Sequence, residues 1–129
     1  VKDGQLLGNE MAPRVHNSGH WTIEGALTSQ FENHVRAVLG MPLGDTSARG
    51  LSAMFNWIGE LPDAAPVLEA VDAHWHDYGK QPRVGRKVGH ATVCAPNAGQ
   101  LVERLGGIAH ALGRDQQADP AIGKLREKR

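Results

Sequence analysis

The chain has 129 residues, 40% of them apolar, with 14 basic and 14 acidic residues. That length bounds one ordinary domain, or one small domain and part of another, and the cancelling charge excludes a field that steers the whole molecule to nucleic acid or an acidic membrane. A single cysteine, Cys94, excludes an internal disulfide, and no apolar run reaches the roughly 18 residues of a membrane-spanning helix.

Asp3-Gly4 signals a turn, and the apolar run after it predicts a strand ending at Glu10. Pro13 cannot donate to a ladder, so the strand should stop there and a polar loop run to about Thr28. Asn9 to His20 holds a carboxylate, a guanidinium, two imidazoles and two side-chain amides. That density suits the lining of a site where a metal meets anionic groups.

Ser29-Gln30-Phe31-Glu32 is a capping box. Phe31, Val35, Val38 and Leu39 then lie on one helical face, and Gly40 and Pro42 end the helix. Gly44 to Gly50 reads as a loop, and Ser52 to Gly59 as a strand buried on both faces. Pro62 opens a short helix to about Val71. Ala73 to Tyr78 alternates His74, His76 and Tyr78 against Trp75 and Asp77, which predicts a strand. Gly79 to Gly85 is a basic turn, and Lys87 to Cys94 a further strand that buries the thiol. Asn97, with Gln100 at the box position, starts a second helix with Leu101, Leu105, Ile108 and Leu112 as its stripe; Gly113 ends it.

The expected fold class is α+β, an α/β remnant: the strand, loop and helix that end a larger lobe over residues 1–44, a small mixed sheet and helix domain over 45–114, and a frayed or disordered basic tail over 115–129. The first part, one strand and one helix, cannot bury a core alone and calls for a partner sheet. With its opening Val, this predicts a cytoplasmic chain incomplete at its N-terminus.

Asn9-Glu10-x-Ala12-Pro13-Arg14-x-His16-Asn17-Ser18-Gly19-His20-Trp21-Thr22, then Ser29-Gln30-Phe31-Glu32, then Tyr78-Gly79-Lys80 and Arg83-x-Gly85-Arg86-Lys87-x-Gly89-His90 closely resemble the 5-(carboxyamino)imidazole ribonucleotide synthases of the ATP-grasp superfamily. The resemblance spans residues 3–95, weakens over the helix at 97–112 and ends there. Val15 departs from it, standing where the family commonly has Pro. The resemblance implies the C-terminal third of a purine-synthesis ligase. ATP would phosphorylate bicarbonate to carboxyphosphate, and the carboxyl group would pass to the amine of aminoimidazole ribonucleotide, leaving ADP and phosphate.

It further implies roles. Glu10 would bind Mg²⁺, or Mn²⁺ in its place, with Asn9 beside the nucleotide. A second metal carboxylate is expected from a preceding strand. Arg14 would hold a bicarbonate or carboxyphosphate oxygen, and His16 would donate a hydrogen bond or move a proton near the aminoimidazole. Asn17 joins the substrate contacts, and Gly19 would permit a positive φ. Lys80, Arg83, Arg86 and Lys87 would cradle the ribonucleotide 5′-phosphate, with Lys80 and Arg86 foremost. No biotin, nucleic acid or membrane is implied. The partners are ATP, bicarbonate, aminoimidazole ribonucleotide, the N-terminal domains of the same enzyme and a second copy in a homodimer.

Other readings stay open at this point: a stand-alone, non-catalytic nucleotide- or phosphate-binding module, or a related ATP-grasp transformylase or carboxylase. His20 reads as a polar wall or a structural hydrogen-bonder. His74 and His76 share a strand face with His90 near, but without a fourth ligand they read as sheet histidines rather than a zinc site. Trp21, Trp57 and Trp75 read as core or contact residues.

Overall fold

The computed structural model describes Gly4, Gln5, Leu7, Gly8 and residues 11–127. The strand expected to end at Glu10, and the placement of Asn9 and Glu10 themselves, therefore lie outside the described residues.

The centre of the fold is a three-stranded antiparallel sheet of β1 (Leu51–Ile58), β2 (Ala73–Asp77) and β3 (Lys87–Ala95), in the order β1-β3-β2. Alternation gives the sheet two unlike faces. Phe55 and Trp57 of β1 pair with Ala91 and Gly89, and Ala73 and Trp75 of β2 pair with Val93 and Ala91. This apolar face packs against α3 (Ala65–Leu68), α4 (Ala98–Ala111) and α5 (Asp115–Glu127). Asn56, His90, Thr92, His74 and His76 occupy the intervening positions and form a polar face.

β1 is an edge strand, not one buried on both faces: Leu51 and Ile58 are exposed, while Phe55 and Trp57 are buried. The doubly buried strand is β3, which closes the sheet from the middle although it comes last in the chain. The helix expected from Pro62 to Val71 shrinks to the single turn of α3.

Asn97 caps α4 as expected, its Oδ1 accepting from the Gln100 amide at 3.0 Å, and Leu101, Leu105 and Ile108 are buried. Gly113, at φ +63°, ends it. Asn97→Ala should remove that cap and cost about 1 kcal/mol, read as a lower urea midpoint.

The expected frayed tail is a correction. Asp115–Glu127 is helical, with Ala118 buried and Ile122 and Leu125 packed against the core. Their spacing makes one narrow stripe, and Pro120 lies in the second turn, where one missing donor does not stop the helix.

Before the sheet, the expected loop is partly helical. A 3-10 turn (Asn17–Gly19) leads into α1 (Thr22–Gly25), which lies against β3. Then α2 (Gln30–Val38) begins at Ser29, whose Oγ accepts from the Glu32 amide at 3.1 Å. Among the described residues α2 buries none of its own. Val35, Val38 and Leu39 are 55%, 72% and 66% exposed. The apolar face read from the sequence exists: Phe31 packs on His20, and nothing described covers Val35, Val38 and Leu39.

Candidate functional site

The polar face of the sheet and the segment 14–30 laid across it make the site. Gln30 organises that segment. Its Oε1 accepts from the His16 amide at 2.9 Å, and its Nε2 donates to the His16 carbonyl at 2.8 Å and lies 2.7 Å from His20 Nδ1. Thr22 Oγ1 accepts from the Gln30 amide at 2.9 Å and donates to the Gly19 carbonyl. A Cβ at Gly19 would sit 2.7 Å from Gln30 Oε1. Gly19 is not among the positive-φ glycines, so it serves by close approach rather than by an unusual dihedral, a correction to the sequence reading.

His16 is half-buried. Its Nδ1 accepts from the Ser18 amide at 3.3 Å and lies 2.8 Å from Ser18 Oγ. An accepting Nδ1 puts the neutral ring's proton on Nε2. Arg14 is exposed, and its guanidinium donates to the Val15 carbonyl at 3.0 Å.

Lys87 joins the two motif segments. Its Nζ donates to Asn17 Oδ1 at 2.6 Å across seventy residues of sequence. The four cations of the basic turn then divide. Lys80 lies over the Tyr78 ring at 5.1 Å from its centroid. Arg86 Nη1 donates to the Gln81 carbonyl at 3.3 Å, and the Arg83 and Arg86 backbones are tied to Gly59. Gly79 and Gly85 have φ of +62° and +75°, as turn glycines should.

Behind these residues lies a linked group, of which the sequence had singled out the histidines and Tyr78 but not Glu24. Tyr78 Oη is 2.8 Å from His90 Nδ1. The His90 ring stacks on His76 at 4.2 Å, and His76 Nε2 meets Glu24 Oε1 at 2.7 Å. His20 packs on Phe31 and His90. His20, Phe31, His76, Tyr78, Lys80 and His90 line a concavity of about 330 Å³. Burial, reinforced by the charges of His76 and His20, pushes His90 down to about 4. Burial also lowers His20 and raises Tyr78. His76 and His90 thus have partners, and His20 both meets Gln30 and lines the concavity. Glu24 carried no sequence signal, because its partner is fifty-two residues away. Gln30 did carry one: an amide directly after a helix cap and beside a histidine-rich loop.

Buried polar atoms without a hydrogen bond among the described residues gather on this face: Asn17 Nδ2, Asn56 Oδ1, His90 Nε2, Thr92 Oγ1 and Glu24 Oε2. Such atoms are uncommon away from functional sites or ordered water. The described residues contain no group of three or more His, Cys, Asp or Glu arranged to hold a metal ion, so they do not by themselves make a magnesium site.

Comparison with known proteins gives the site its family. Residues 52–104 match the phosphoribosylaminoimidazole carboxylase C-terminal domain, and residues 1–31 match the ATP-grasp domain. The chain is 50% identical over 128 residues to the N5-carboxyaminoimidazole ribonucleotide synthase of Vibrio vulnificus (strain YJ016), covering 98% of this chain and 33% of that one. The crystal structure of N5-carboxyaminoimidazole ribonucleotide synthetase from Thermus thermophilus superposes with a TM-score of 0.76 at 63% identity, over 79% of this chain and 28% of that one. The N5-carboxyaminoimidazole synthase from Aspergillus clavatus, solved in complex with ADP and 5-aminoimidazole ribonucleotide, gives 0.70 at 38% identity, over 78% and 30%. The chain spans about a third of the length of these relatives. It belongs to the ATP-grasp N5-carboxyaminoimidazole ribonucleotide synthase family and carries the stretch from the ATP-grasp match into the C-terminal domain.

Proposed function

We propose that this chain forms the aminoimidazole ribonucleotide side of an ATP-dependent carboxylating ligase. The observation that carries the reading is the Lys87–Asn17 bond, which draws the polar loop and the basic turn into one site. In support, the Aspergillus relative was solved with ADP and that ribonucleotide.

In the reaction, bicarbonate attacks the γ-phosphorus of ATP and ADP leaves, giving carboxyphosphate. The exocyclic amine of the ribonucleotide then attacks the carboxyl carbon. Phosphate departs, and the amine loses a proton. Arg14, exposed at the loop, neutralises charge on the carboxyphosphate oxygens. His16, its ring held by Ser18, donates a hydrogen bond or moves a proton beside the carboxylate and the amine. Lys80, Arg83, Arg86 and Lys87 hold the 5′-phosphate, and Asn17 joins them, its Oδ1 accepting from the Lys87 ammonium. Glu10, assigned to Mg²⁺, and Asn9, assigned to the nucleotide, stay assignments from the resemblance, and the catalyst draws its ATP-binding remainder from the N-terminal domains of the family.

Calorimetric titration of the 129-residue chain with 5-aminoimidazole ribonucleotide should show saturable binding. Arg86→Ala should weaken it about tenfold, the loss of one charge-assisted phosphate contact. Absence of binding by the wild-type chain, or an Arg86→Ala affinity equal to wild type, would discard the cradle. No carboxylation is expected from the chain alone. Turnover should appear on adding the ATP-binding part of a relative.

A further inference from the structure

We propose that Gly59 is a positioning residue for the phosphate cradle, its main-chain amide and carbonyl clamping the Arg83–Arg86 turn so that both arginines are presented to one anion. This rests on the proposed function.

Arg83 and Arg86 stand at the two ends of a four-residue turn. The Arg86 amide donates to the Arg83 carbonyl at 3.0 Å, and Gly85, third in the turn, has φ +75°. That is the position at which a type II turn requires a positive φ, and a β-turn brings its end residues within about 7 Å of each other. One bond closes the turn but does not aim it. The end of β1 supplies the rest. The Gly59 amide donates to the Arg86 carbonyl at 2.8 Å, and the Gly59 carbonyl accepts from the Arg83 amide at 3.0 Å. One residue therefore grips both ends of the turn.

The local chain explains why residue 59 is a glycine. Trp57 pairs with Gly89 and Ile58 with Lys87, so the ladder between β1 and β3 carries a bulge that skips Val88. Gly59 leaves that bulge at φ +91°, a dihedral that L residues rarely adopt. A Cβ there would meet nothing within 4 Å. The glycine thus answers to the backbone path and not to crowding. That path delivers both main-chain groups to the turn. The Arg86 guanidinium is steadied further by its bond to the Gln81 carbonyl at 3.3 Å. Charges already held in place bind an anion with less ordering at the moment of contact.

The test titrates the 129-residue chain with 5-aminoimidazole ribonucleotide. Gly59→Ala should lower affinity about fivefold, one ordinary hydrogen bond's worth, as residue 59 relaxes to a negative φ and lets go of the turn. Gly59→Asn carries a side chain that enters positive φ more readily and should recover most of that loss. Gly113→Ala is the matched control. Gly113 also has a positive φ, +63°, with open space at its Cβ, but it follows α4. It should lose comparable stability to urea and keep wild-type affinity. Equal affinity losses in Gly59→Ala and Gly113→Ala would mark a general destabilisation and overturn the proposal. Arg86→Ala should cost about tenfold in the wild-type chain but less than about threefold in Gly59→Ala, because the glycine acts through the turn. Losses that simply multiply overturn it as well. Should Gly59→Ala not fold, amide hydrogen exchange of the free wild-type chain decides. Protection at Gly59, Arg83 and Arg86 should exceed that at Val84, which is 97% exposed at the tip of the turn, and equal exchange at all four overturns the clamp. A wild-type chain that binds no more tightly than Gly59→Ala defeats the positioning role alone. A wild-type chain that does not bind defeats the function and the positioning role together.

Discussion

Gln30→Ala should weaken aminoimidazole ribonucleotide binding by about thirtyfold to a hundredfold while leaving helix content unchanged. The Gln30 amide replaces a missing strand for the loop: it takes the His16 N–H at 2.9 Å and gives to the His16 carbonyl at 2.8 Å. It also meets His20 Nδ1 at 2.7 Å. Each such bond contributes on the order of 1 kcal/mol, and together they tie the loop to the start of α2. Truncation removes the acceptor of the His16 N–H and takes the Gln30 partner from His20 Nδ1, while the His16 carbonyl keeps the Gly19 amide. α2 itself should persist, since its cap rests on Ser29 and Glu32 rather than on Gln30. Calorimetry gives the affinity. Amide hydrogen exchange gives the cause: protection should vanish at His16 and remain at Val93. Wild-type affinity in Gln30→Ala would mean that the loop is ordered by other contacts. Gln30→Glu tests the direction of the bonds, for a carboxylate still accepts from His16 N–H but cannot donate to its carbonyl. It should fall between wild type and Gln30→Ala.

What was legible in the sequence was what is local. Ser29 with Glu32 and Asn97 with Gln100 announce two helix starts, because a cap is settled within four residues. The turn glycines 79 and 85 were equally plain. Burial was not, since it depends on strand order. β1 carries Met54, Phe55, Trp57 and Ile58 and reads as a central strand, yet β3, with smaller residues, closes the sheet between its neighbours. α5 was hidden by its charges and by Pro120, while Ala118, Ile122 and Leu125 were too sparse to announce a buried stripe. In the site, Arg14, His16, Asn17 and the four cations were assigned through resemblance, which marks residues without explaining them. Of their supports, His76 was expected near His90, but Glu24 and the linkage through Tyr78 were not. Glu24, His76, His90 and Tyr78 meet only because two strands and α1 bring them together, so no window of sequence contains the arrangement.

That buried cluster also predicts how stability follows pH. His90 is pushed from 6.5 to about 4 by burial, with the charges of His76 and His20 adding to it. The groups facing it are the Tyr78 hydroxyl, the His76 ring backed by Glu24, and the His20 ring, itself lowered by burial. Both lowered histidines are neutral in the fold and protonate more readily in the unfolded chain. Between pH 6.5 and about 4 the unfolded state therefore binds more protons. Stability is complete above that window, falls as pH drops through it, and loses nothing further from His90 below it. The full His90 effect is about 3 kcal/mol, of which about 2 kcal/mol should be gone by a pH of about 5. Urea unfolding at about pH 7 and pH 5 reads the difference directly. His90→Asn does not titrate there, so its midpoint should shift much less between the two conditions, leaving only the smaller share due to His20. Asp45, lowered by its Ser47 hydrogen bonds, acts in a more acidic range and does not confuse the comparison. Equal acid sensitivity of wild type and His90→Asn would show that His90 is not the group being charged.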